Sequence, residues 1–283
     1  MIMTEEQKAQ LTNLQNYFDV IWSELCKLIP EIEPLFSKKE RAKIGIKYAA
    51  KYKALCVSQQ EPITSNCFFD RFAASCGKDS QADGFKDEVN GVANAIRSAL
   101  KYASSNENSS VLTRIRQIIK ELIFTMDINP LSNNSDYRNR LNELLVFNRL
   151  NECENIRVTD VTYPLGNNKD CDFRCINEDG TELLIEVMTI HNIDLSKQDN
   201  AETFSDFINQ KVQEKYDYKL TGAEQISNFR ILPIIEFVDG LSDFSPILDP
   251  NISLPPQTVI KNVIDGEREI LLTPIEKLKT KIR

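Results

Sequence analysis

The 283-residue chain has only one histidine, His191. A Ser/His/Asp triad could therefore be built only through that residue, which could otherwise act as a single general base. Glycine is also scarce, at nine, and neither GxGxxG nor GxxxxGK[ST] occurs. This speaks against nucleotide-driven motor chemistry and dinucleotide oxidoreduction, which need glycine loops around phosphates. No apolar run approaches the ~20 residues that a membrane helix needs, so no membrane partner is expected. The opening MIMTEEQKAQ is acidic and polar, unlike a secretory signal, and the expected location is cytoplasmic. The seven cysteines are odd in number and lack zinc-site spacing; Cys171 and Cys175 stand four apart with no CxxC pair. Reduced, mostly buried thiols are expected.

Positive charge is in deficit as well. Lys and Arg number 34 against 42 Asp and Glu, a net charge of −8. Favourable binding to nucleic acid comes from cations that neutralise phosphates, so the total counts against a strong general DNA binder. A local basic groove remains compatible with it, because distribution matters more than the sum. An acidic balance also suits carboxylates that await a divalent cation.

What remains is ordinary globular material, 41% apolar and 27% charged. Residues 5 to 103 read as helices. QLTNLQNYFDVIWSELCKLI has helical apolar spacing and is interrupted by Pro30 and Pro34. A Lys- and Ala-rich helix spans 38–55, a short helix 67–75 and a longer one 86–103. Trp22 and the Phe and Tyr residues there read as core. SSNENSS, at 104–110, is polar and reads as a linker. These features predict an all-helical domain over 1–108 and an α/β domain over 109–283. The second begins with the amphipathic VLTRIRQIIKELIFTM. From residue 136 the order is helix (137–152), strand (157–163), strand (172–176), the turn NEDG, strand (183–189), helix (203–220) and the apolar strand ILPIIEFV (231–238). This is an α/β pattern. A short strand and a final basic helix are expected after Gln257.

Three acids stand out by position. Asp172 lies early in one strand and Glu186 in the strand paired with it across NEDG, so hairpin pairing lets the two carboxylates meet on one side of the sheet. Converging carboxylates repel unless a hard cation joins them, and Mg²⁺ and Mn²⁺ favour such oxygens. Glu143, in RNRLNELLVFNRL, falls on an apolar flank of its helix between Leu150 and Phe147. It is a third ligand candidate, or else a rim glutamate paired with a residue such as Arg140.

NELLVFNRL, VTYPLGNNKDCDF and ELLIEVMT, in this order, resemble the PD-(D/E)XK superfamily. The resemblance covers roughly residues 135 to 240. It implies a restriction-endonuclease-like mixed sheet flanked by helices, Mg²⁺ or Mn²⁺ on Asp172 and Glu186 with Glu143 as an outer ligand, and hydrolysis of DNA, with RNA second. One residue departs from the pattern: Met188 stands where the family has its catalytic lysine. The charge could have migrated to the next helix, where Lys211 and Lys215 interrupt the stripe Phe204, Phe207, Ile208, Val212, Tyr216 and Lys219 continues the row. Snorkelling at the sheet edge is the plainer account of such lysines. Lys169 and Asp170 are further candidates beside the second strand. If no charge migrated, the fold binds nucleic acid or protein without cutting. The helical half could bind nucleic acid, form a homodimer or contact another protein.

Overall fold

A computed structural model describes residues 5–58, 67–75, 82–124, 136–193, 201–223, 226, 228–237, 259–264 and 267–271. The chain is mixed α/β, with N-terminal helices followed by a mixed sheet. It divides into two compact units. The first holds residues 1–97 and 116–141, the second 98–115 and 142–283.

The first unit contains α1 (Glu5–Leu28), a 3₁₀ turn (Pro30–Leu35), α2 (Lys38–Ser58), α3 (Phe68–Ser75), most of α4 (Ala82–Ser104) and the later part of α5 (Ser109–Ile123). Pro30 and Pro34 lie in the 3₁₀ turn, as expected where proline removes helix donors. Aromatic rings form the core. Phe18, Trp22, Phe36, Tyr48, Phe69 and Phe124 are all buried, and Trp22 stacks on Phe124 with ring centroids 5.5 Å apart. Gly45 lets α2 approach this cluster, because a Cβ there would stand 3.1 Å from the Phe18 ring. Ser37 and Glu40 form a reciprocal cap on α2. The Glu40 N–H donates to Ser37 Oγ (3.2 Å) and the Ser37 N–H to Glu40 Oε2 (2.8 Å).

The second unit carries α6 (Asp136–Glu152) from Asn142 onward, β1 (Ile156–Pro164), β2 (Asp170–Asn177), β3 (Glu182–Ile193), α7 (Ala201–Leu220), β4 (Phe229–Phe237), β5 (Val259–Ile264) and β6 (Glu267–Leu271). The sheet order is β1-β2-β3-β4-β5-β6. β1 to β3 form an antiparallel meander; β3–β4 and β4–β5 are parallel, and β5–β6 is antiparallel. The parallel β3–β4 pair requires a crossover, and α7 supplies it. The NEDG turn forms at Asn177–Gly180, closed by the Gly180 N–H on Asn177 O at 3.0 Å. Gly180 has φ +80°, which glycine accepts without strain.

Parity assigns the two faces of this sheet. Phe173 and Ile185 are register partners on one face, where Phe147 of α6 meets Phe173 at 6.0 Å between ring centroids. Leu184 and Phe229 pair on the other, where Tyr216 of α7 meets Phe229 edge-on at 5.8 Å. Helices therefore cover both faces. The polar stretch 104–110 belongs to this unit. Asn106 Nδ2 donates to Val158 O (2.8 Å), and Asn108 Nδ2 to Thr159 O and Asp160 Oδ1 (both 2.9 Å). Its asparagines are fastened to β1, and that is why a sequence with linker composition packs here. The expected tail strand is present as β5, followed by β6; the expected final basic helix lies outside the described residues.

Candidate functional site

The β2–β3 ladder runs from Ile176–Glu182 to Phe173–Ile185 and stops there. One step further, Asp172 and Glu186 would be partners, but the strands part between them. The Asp172 carboxylate takes over the missing backbone bond, accepting the Val187 N–H at Oδ2 (2.6 Å). Asp172 thus stands at a fork in the sheet. Its side chain is half-buried, with protein packed around it. On its other side, the β1 register places Thr162 opposite it. Thr162 has φ +58°, a left-handed conformation that a β-branched residue rarely adopts. Such strain, on the order of 1–3 kcal/mol, collects at functional positions.

Burial pushes the Asp172 carboxyl well above the ordinary aspartate range. The charges of Glu143 and Glu186 add to the rise, and the Val187 bond and Lys219 only partly oppose it. The three acids named from the sequence are therefore electrostatic neighbours. They arrive from different directions. Glu143 is buried on α6, whereas Glu186 shares the α7 face with Leu184 and Met188. Asp172 and Glu186 come together where the β2–β3 ladder ends, at the fork. Among the described residues, no three histidine, cysteine or carboxylate side chains are assembled as a ready metal cage. Arg140, the alternative partner considered for Glu143, places its Nε on Glu121 at 2.8 Å.

The lysines of α7 take different roles. Lys211 bonds Glu214 on the surface at 2.9 Å. Lys215 Nζ lies 2.9 Å from Glu186 Oε1 and Lys219 Nζ 3.0 Å from Glu186 Oε2. Side-chain exposure falls along the row, from 43% at Lys211 to 32% at Lys215 and 10% at Lys219. Lys219 also donates to Asp170 O (2.6 Å) and lies 3.6 Å from Asp170 Oδ1. Burial alone would lower its pKa. The charge of Glu186, in an ion pair at 3.0 Å, with Asp172 and Asp170 behind it, outweighs burial and raises it. The C-terminus of α7 is held from the β1–β2 loop. Asn167 Nδ2 donates to Lys219 O and Thr221 O, and Lys169 donates to Tyr218 O while lying 4.3 Å over the Tyr218 ring. Lys169 is thus engaged at the helix end.

Met188, two residues after Glu186 on β3, packs on an apolar cluster of Leu165, Cys171, Leu184, Phe229 and Ile231, beside Val212 and Leu220. Cys171 is a buried thiol pushed up to about 12, first by burial and then by Asp172 and Glu186, so it stays neutral. Asn142, fully buried next to Glu143, donates to Thr189 Oγ1 at 3.1 Å and ties α6 to β3. His191 falls in β3, but its side chain lies outside the described residues.

Sequence reasoning missed the dominant part of Lys219 and the strain at Thr162. The i, i+4 spacing from Lys215 pointed to the first; nothing in the sequence marks the second. No family model matches this chain, and neither does any curated protein or solved structure. Among the described residues, no helix is long and apolar enough to cross a membrane.

Proposed function

We propose that the chain is a metal-dependent phosphodiesterase of restriction-endonuclease-like plan, acting on DNA with RNA second. The observation that carries this reading is Asp172. A buried carboxylate at a sheet fork, whose pKa is raised by burial and by the charges of two neighbouring acids, is relieved by a hard cation, and an ammonium-bearing helix end stands beside it. The oxygen donors suit Mg²⁺ or Mn²⁺. Asp172 and Glu186 would hold the ion, with Glu143 as an outer ligand. When bound, such an ion polarises a phosphodiester and lowers the pKa of a water. Lys219 fixes one Glu186 oxygen. Lys215, more exposed, is the lysine free to yield the other oxygen and to steady the attacking water. Lys211, engaged with Glu214, is set aside from that role.

Met188 favours a second reading, a nuclease-like fold that binds nucleic acid or protein without cutting. Its apolar packing and the capture of both Glu186 oxygens by lysines support that reading. Plasmid and single-stranded DNA incubated with Mg²⁺ or Mn²⁺ separate the two. Cleavage abolished by Asp172→Ala and by Glu186→Ala supports the enzyme. Intact substrate supports the binding module, as does a melting temperature indifferent to Mn²⁺.

A further inference from the structure

In a chain of net charge −8, residues 38 to 53 hold seven basic residues and one acid, Glu40. All lie in α2, where Lys39, Lys43 and Lys47 recur every four residues and so fall along one side of the helix. Lys38, Lys39, Lys43 and Lys47 are exposed, and among the described residues none of them makes an ion pair. The described acids nearest in sequence are engaged elsewhere. Glu40 is held by Ser37 and by Lys120 at 2.8 Å, and Glu33 lies 3.9 Å from Arg41. The arrangement disfavours the isolated helix twice. Like charges repel at i, i+4, and Lys38 and Lys39 meet the positive end of the helix dipole in the first turn.

We infer that this face of α2 is a docking surface for the phosphate backbone of double-stranded nucleic acid, read by charge and without sequence preference. The lysines rise about 6 Å per step and so span about 12 Å of backbone. Single strands are held by exposed aromatic platforms, whereas the one aromatic ring among the described side chains of α2, Tyr48, is buried in the aromatic core. Among the described side chains of α2, Gly45, Tyr48 and Ala49 face protein, and Ile46 is the one large apolar residue exposed among the lysines. That gives too little apolar surface for insertion into a membrane interface. The inference stands apart from the proposed catalytic site.

The test is fluorescence anisotropy of a labelled 20-base-pair DNA duplex, in EDTA so that no cleavage intervenes. It compares wild type with the combined Lys39→Gln, Lys43→Gln, Lys47→Gln variant. The expected result is at least tenfold weaker binding in the variant and a slope of log K against log salt shallower by about 3, from ~0.9 per lost phosphate contact. The variant should melt no lower than wild type, because the substitutions relieve repulsion, so lost binding cannot be put down to unfolding. An RNA duplex should behave like the DNA duplex. Equal binding by the variant, no duplex binding by wild type at 50 mM salt, or preference for polyglutamate or anionic phosphatidylserine vesicles over duplex would each overturn the inference. Failure here leaves metal-dependent cleavage untouched, and loss of cleavage in Asp172→Ala leaves this surface untouched.

Discussion

At Asp172 the folded chain binds a proton more tightly than the unfolded chain does, since burial, Glu143 and Glu186 raise its pKa. Where the folded state holds more protons, stability falls as pH rises. The loss begins near the unfolded aspartate value of about 4 and is complete above the raised folded value. Asp172→Asn keeps an oxygen for the Val187 N–H and removes the penalty. We expect it to melt a few degrees higher than wild type at pH 7 without metal, at about 2–4 °C per kcal/mol, with the difference vanishing below pH 4. Thermal melts across pH 3.5–8 check this, and an Asn variant that melts lower at neutral pH contradicts it. The lysines separate in the same way. Lys219→Met breaks a buried pair and should destabilise by about 3–5 kcal/mol. Lys215→Met removes a more exposed partner and should cost no more than about 1 kcal/mol, yet lower any cleavage rate by about 10²-fold or more. Denaturant titrations beside rate measurements resolve the two. At Thr162, glycine accepts the left-handed backbone that threonine resists, so Thr162→Gly should stabilise by about 1 kcal/mol in the same titrations.

Among the elements, the reciprocal cap of α2 offers a direct test. Ser37→Ala removes the acceptor for the Glu40 N–H and one of the bonds that hold the Glu40 carboxyl down at about 2; the Lys120 bond is the largest of these. A loss of about 1 kcal/mol is expected, read by the fluorescence of Trp22, the chain's single tryptophan, which lies in the same unit. Much of this level was legible in the sequence. Prolines stopped α1, NEDG turned the hairpin, and alternation and helical spacing located α6, β1 to β4 and α7. What stayed hidden depended on distant partners. Asn106 and Asn108 have linker chemistry until β1 offers them carbonyls. A helical wheel puts Lys211, Lys215 and Lys219 on neighbouring bearings. Only the tethering of the α7 C-terminus by Asn167 and Lys169 decides which of them reaches Glu186. The residue types of the site could be read because their chemistry is local. Their convergence at a fork could not, because the end of the β2–β3 ladder is a tertiary event.

Across the whole chain, the negative total hides an uneven distribution: acids gathered at the fork in one unit, lysines along α2 in the other. A cation that binds only the folded second unit raises its stability by RT ln(1 + [L]/Kd), about 2.7 kcal/mol at a hundredfold excess over Kd. The most direct test of the proposed activity is the cleavage of supercoiled plasmid by wild type, Asp172→Ala and Glu186→Ala over a Mn²⁺ titration. Nicking by wild type is expected to rise with Mn²⁺, to stop in EDTA and to fall at least about 100-fold in each variant. Intact plasmid at every Mn²⁺ concentration, or equal nicking by all three proteins, would contradict that activity.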